Sequence, residues 1–232
     1  MNPAMPFVDM ARIPRRLILQ DQSYFHVTWK CHNNDFLLRD DTIKAKLYSL
    51  LSRYKQQYNI KIYGYCFMDN HPHLVGYCKS VTEFSHFFQV VNGLLARFIN
   101  RLHRRKGQVV MDRIHSPQIQ SERHMLHVLH YIDLNPVRAG VCKRARDYRW
   151  SSYRSHAEKL HDPLLDPLPP GLNVQPKQYA DTNLLILLRG TERVPFYSRI
   201  FFIGTPAWIL KRQRSVYSAL LGSNAHSQSA GK

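Results

Sequence analysis

The sequence predicts an α+β domain: one antiparallel sheet with helices on one face. Two observations carry this expectation. Strand-like and helix-like segments follow the order strand–helix–strand–strand–helix, and 44% of the 232 residues are hydrophobic, enough for a sizeable core.

Each element has its own signal. "SYFHVTWKC" (23–31) is aromatic and β-branched, which predicts a strand. "DDTIKAKLYSLLSRYKQQY" sets Ile43, Leu47, Leu50, Leu51 and Tyr54 at helical spacing. "IKIYGYCFM" (60–68) alternates as a strand does, and "HLVGYC" (73–78) follows it through a turn at Asp69-Asn70. A long helix is predicted next, with Thr82 as N-cap and Gly107 as stop. Its apolar stripe is Phe84, Phe88, Val91, Leu95, Phe98 and Leu102. "SERHMLHVLHYIDLNP" (121–136) predicts a second helix, capped by Ser121, resting on Met125, Val128, Leu129 and Ile132, and ended by Pro136. Five prolines between Asp162 and Pro176 predict a linker at 161–176. A small C-terminal extension is expected at 177–221, a disordered tail at 222–232 and a possible leader at 1–9.

Lys and Arg number 33 against 16 Asp and Glu, for a net charge of +17. A folded chain this basic points to a polyanionic partner, nucleic acid first. Cys31, Cys66, Cys78 and Cys142 form no CxxC pair, which argues against a zinc ribbon and for a reduced compartment. The first residues lack a secretory h-region, and no apolar run is long enough to span a membrane. Arg97, Arg101, Arg104 and Arg105, followed by Lys106, recur at three- and four-residue steps. That row is either a solvated helix flank or a set of phosphate contacts.

"CFMDNHPHLVGY" (66–77) sets His71 and His73 on one face of a strand, where two imidazoles can meet one ion. The alternative is two polar residues at a strand entrance. Tyr131 and Asn135 lie one helical turn apart, a candidate nucleophile and a candidate amide ligand. Equally, a tyrosine at a core edge and an asparagine at a helix end are ordinary.

Taken together, "YGYCFMDNHPHLVGY" and "HYIDLNPVRAGVCKRARDYRWSSYRSH" resemble the REP-associated tyrosine transposases of the single-tyrosine HUH superfamily. The resemblance covers about residues 10–157, including "MARIPRR" and "YFHVT", so the catalytic domain is expected at 10–160. It implies a ferredoxin-like or RRM-like sheet with the tyrosine helix beside the histidine strand. It also implies that Tyr131 is the nucleophile, that His71, His73 and Asn135 hold Mg²⁺ or Mn²⁺, and that no small-molecule cofactor is used. The expected partner is single-stranded hairpin DNA of REP-like palindromes, cut and rejoined through a 5′-phosphotyrosine. Arg12, Arg15 and Arg16 match the N-terminal basic segment; Arg97, Arg101, Arg104, Arg105, Lys106 and Arg113 are further DNA-contact candidates. The compartment implied is the bacterial cytoplasm, at the nucleoid. Two departures stand out: Asp69-Asn70 replaces the usual Pro-Asn, and Pro72 replaces a bulky apolar residue between the histidines. An impaired, domesticated hairpin-binding module is the competing expectation, on the ground that Pro72 removes a strand donor.

Overall fold

A computed structural model describes residues 13–172, 174–188 and 200–229, with side chains to 220. The leader expected at 1–9 and Arg12 lie outside the described residues.

Helix α1 (Arg15–Ile18) precedes β1 (Ser23–Thr28), and α2 (Asp41–Tyr54) leads into the hairpin β2 (Ile60–Phe67) and β3 (Pro72–Cys78). The long α3 (Val81–Leu102) follows, then the short β4 (Gln118–Ile119), α4 (Glu122–Asp133), α5 (Asn135–Arg138) and α6 (Tyr153–Glu158). The C-terminal extension supplies α7 (Pro176–Leu188), β5 (Phe202–Ile203) and α8 (Pro206–Ser229). The sheet order is β2-β3-β1-β4-β5. Its first four strands pair antiparallel, as expected; β5 joins β4 in parallel and makes the sheet mixed.

Strand alternation divides the core into two layers. Phe25 points to the side of α3, where its ring meets Phe84 and Phe88 at 4.9 and 6.3 Å. The buried stripe of α3 is Phe84, Phe87, Phe88, Val91, Leu95 and Ile99. It drifts round the helix relative to the expected one, leaving Phe98 half-buried and Leu102 exposed. Ser80, not Thr82, caps this helix by accepting from the Glu83 N–H. The other face carries His26, His73, Val75 and Gly64, and α4 crosses it. The sheet is therefore covered on both sides. A Cβ on Gly64 would collide with Leu129 of α4, so only glycine lets that helix approach so closely.

The outer edge of β2 is closed by the chain after α5. Phe67 N–H donates to Trp150 O, Ser152 N–H to Tyr65 O, and Asp166 N–H to Ile62 O. This removes the open backbone edge that invites pairing with other chains. The Pro-rich segment is held here too: Leu164 is fully buried, and Asp166 takes hydrogen bonds from Lys55 Nζ at 2.8 Å and Ile62 N–H at 2.8 Å.

Candidate functional site

Three elements bring the site together: the entrance of β3, the middle of β1, and the end of α4. Pro72 is the first residue of β3, paired with Phe67. The hydrogen bond next to it is made by His71, whose carbonyl accepts from Met68 N–H at 3.0 Å. The first position of a strand tolerates proline, so the ladder stays intact and the two histidines keep their places.

His71 and His73 rings lie 4.8 Å apart and nearly perpendicular. Each is steered through Nδ1. His71 Nδ1 meets Asn70 Oδ1 at 2.6 Å; His73 Nδ1 meets His26 Nε2 at 2.9 Å. In both cases Nε2 remains for other partners, and His73 Nε2 is buried without a hydrogen bond. Burial, with Lys30 adding a smaller effect, lowers the His71 pKa to about 4. Burial, then His71 and His26, holds His73 well below the ordinary histidine value. Both are neutral at pH 7, the form that binds a metal.

Tyr131 stands edge-on to this pair, its ring centroid 5.8 Å from His73 and 6.3 Å from His26. Burial raises its pKa; Arg138 and the Asn135 side chain oppose that rise. The Arg138 guanidinium lies 5.2 Å from the tyrosine ring centroid and donates to the Tyr131 carbonyl at 2.9 Å. Asn135 follows one turn after Tyr131, at the head of α5. The chain stays helical past Leu134, and Pro136 falls in the first turn of α5, where a missing N–H costs nothing. α4 thus ends at Asp133, just short of the expected end, and Pro136 sits in the separate short helix α5.

The orphaned Nε2 of buried His73, together with a neutral His71 whose Nδ1 is already engaged, fits a two-imidazole metal site. Among the described residues no group of three or more His, Cys, Asp and Glu could hold a metal, so further donors must be amide, water or substrate oxygens.

His26 was missed from the sequence. It is fully buried, stacks on His73 at 5.1 Å, and burial, then His115 and His71, lowers its pKa to about 3. The carboxylate of Asp133, two residues past Tyr131, was missed as well. It is fully buried and accepts from Ser151 and Ser152 hydroxyls at 2.9 and 3.1 Å.

The basic candidates fall into two groups. Arg16, Arg97, Arg101, Arg104 and Lys106 are exposed. Arg15 instead lies over the Phe84 ring and donates to Ser85 Oγ at 3.0 Å. Arg105 donates to Gln108 O and Arg113 to Ile13 O. The loop after α3 reaches the site end of the sheet: His32 N–H donates to Val109 O, Met111 N–H to Lys30 O, and Cys31 N–H to Asn70 O. No helix among the described residues is long and apolar enough to cross a membrane.

Comparison with known proteins bears on the fold and on the segment from β1 to α4. No curated protein matched the chain. A solved structure described as the REP-associated tyrosine transposase bound to a REP hairpin is 16% identical, with a TM-score of 0.50. The match covers 66% of this chain and 91% of that one, and it shows the fold. Residues 20–133 match the family model described as "Transposase IS200 like". That segment, just under half of the chain, runs from β1 through the tyrosine helix, and over it the chain is similar to the IS200-like transposases.

Proposed function

We propose that this chain is a single-stranded DNA endonuclease and strand transferase whose nucleophile is Tyr131. The observation that carries the reading is the meeting of Tyr131 with His73 at 5.8 Å, where His73 presents a buried, unpartnered Nε2.

The phenol oxygen attacks a backbone phosphorus as the P–O3′ bond breaks. The phosphate stays on the 5′ end as a phosphotyrosine, and the departing oxygen becomes a free 3′-OH. The phenol loses its proton and the 3′ oxygen gains one, so attack by a 3′-OH reverses the reaction. Because the bond energy is kept, no nucleotide triphosphate is needed. Tyr131 ionises with difficulty in its buried place. Arg138, beside the ring, favours developing negative charge on the phenol oxygen. His71 and His73 would hold a divalent ion, Mn²⁺ or Mg²⁺, with Asn135 as an amide-oxygen candidate. Bound there, the ion would withdraw charge from the phosphate oxygens and from the leaving oxygen.

The substrate proposed is a REP-like DNA hairpin with a single-stranded flank. The solved neighbour is described as bound to a REP hairpin, and the net charge of +17 suits a nucleic-acid partner. Arg16, Arg97, Arg101, Arg104 and Lys106 are the exposed candidates for its phosphates. Arg12, Arg15, Arg105 and Arg113 remain candidates for contacts made once DNA is bound. The working location is the cytoplasm, at the nucleoid.

The test uses hairpin oligonucleotides with Mn²⁺ and denaturing electrophoresis. Wild type should form a covalent protein–DNA adduct, and Tyr131→Phe should abolish it. His71→Ala and His73→Ala should each reduce it by at least about 100-fold. An adduct persisting in Tyr131→Phe overturns the nucleophile assignment. Tight hairpin binding without any adduct favours the domesticated binding module.

A further inference from the structure

The C-terminal extension grips the tyrosine helix on either side of its nucleophile. Tyr179 and Asn183, one turn apart on α7, are both buried. The Tyr179 ring stacks on His130 at 4.3 Å, and its hydroxyl donates to Asp133 Oδ2 at 2.7 Å. Asn183 Oδ1 lies 3.1 Å from His130 Nδ1. His130 and Asp133 flank Tyr131 in sequence, and Asp133 is held from its other oxygen by Ser151 and Ser152.

The contacts of α4 over Gly64 are apolar, made by Leu129 and Ile132. Apolar contact is non-directional and resists rotation of a helix about its own axis poorly. Hydrogen bonds have direction. A rotation of about 10° would carry the Tyr131 hydroxyl, roughly 9 Å from the helix axis, by about 1.5 Å. A displacement of about 1 Å at a reacting atom costs on the order of 100-fold in rate.

We infer that Tyr179 and Asn183 are positioning residues for Tyr131, and that α7 is a clamp fixing the rotation of α4. The inference rests on Tyr131 being the nucleophile. The clamp touches neither substrate nor reacting atoms; it sets where the phenol oxygen stands. This gives the C-terminal extension a role in the reaction.

The experiment uses the full chain with 3-fluorotyrosine at position 131, and the variants Tyr179→Phe and Asn183→Leu. Fluorine resonance of residue 131 reports its placement without chemistry. Adduct formation on a hairpin with Mn²⁺, and hairpin affinity by anisotropy, report function. Expected are a shifted or broadened fluorine signal, an adduct rate lowered about 10- to 100-fold, and affinity within about twofold of wild type. Tyr179→Phe removes one oxygen and keeps the ring; if Asn183→Leu does not fold, Tyr179→Phe alone decides. An unchanged fluorine signal and adduct rate overturn the clamp, as does a loss of affinity that accounts for the loss of rate. If wild type forms no adduct, the nucleophile reading fails instead, and the fluorine signal alone decides whether α7 positions the side chain.

Discussion

Of all the groups around Tyr131, His26 has the least obvious duty. For His73 to offer Nε2 to a metal, its Nδ1 must carry the proton and donate to His26 Nε2. His26 thus selects the tautomer and holds the ring plane. Replacing it with Phe should weaken Mn²⁺ binding by about 10- to 100-fold in titration calorimetry, with His73 still present. Unchanged affinity would show that His73 is oriented by other contacts. His71, His73 and Tyr131 were legible because their spacing and motif strings lie within short stretches. His26 was not, because it reaches His73 only through the β1–β3 pairing, which joins residues 47 apart in sequence. The arginines show the opposite limit. Counting them was simple, but that Arg15 folds back onto Phe84 while Arg16 stays exposed depends on where α3 packs.

Among the elements, α4 is held from the sheet side and from the α7 side, and each hold makes a separate demand. On the sheet side it needs Gly64. Gly64→Ala should destabilise the fold by about 1–3 kcal/mol in urea unfolding, because the added methyl group meets Leu129 and lies 3.4 Å from Ile132. On the α7 side it needs a neutral His130, whose pKa is lowered by burial against the opposing effects of Asn183 and Asp133. His127 and His156 also face it and lower it slightly. A folded pKa below the unfolded value means that the unfolded chain binds the proton more readily. This stability is therefore complete above about pH 6.5 and is lost as pH falls through the folded value. Thermal melts at pH 7 and pH 5 should show a larger drop for wild type than for His130→Gln, and equal drops would contradict this. The long helices and the hairpin were legible from periodicity. The short helix α5 was not, since Pro136 reads as a terminator until Leu134 is seen to carry the chain into it.

At the scale of the whole molecule, charge governs the encounter with DNA. If about four phosphates are neutralised, hairpin affinity should fall roughly 50- to 150-fold between 50 and 200 mM salt, and Arg101→Ala should lower the log–log slope by about one. A salt-independent affinity measured by anisotropy would argue against phosphate contacts. The family-like segment ends at residue 133, yet the sheet does not. Gln118 N–H donates to Phe201 O and Gln120 N–H to Ile203 O, so the last strand pairs with β4 across the intervening helices. A two-residue strand carries no periodicity, which is why β5 was illegible. Beyond it, α8 lays Val216 into a cluster with Ile13, Ile18 and Phe202, and Arg212 donates to the carbonyls of Leu17 and Ile18. Arg212 and Leu17 are 195 residues apart. A ribosome adding about 5–20 residues per second needs roughly 10–40 s to cover that distance. Throughout that interval the α1 segment is already made and its C-terminal partners, Val216 and Arg212, do not yet exist. Arg15 can settle on Phe84 of α3 early in that interval, whereas the apolar face of α1 waits for Phe202 and Val216.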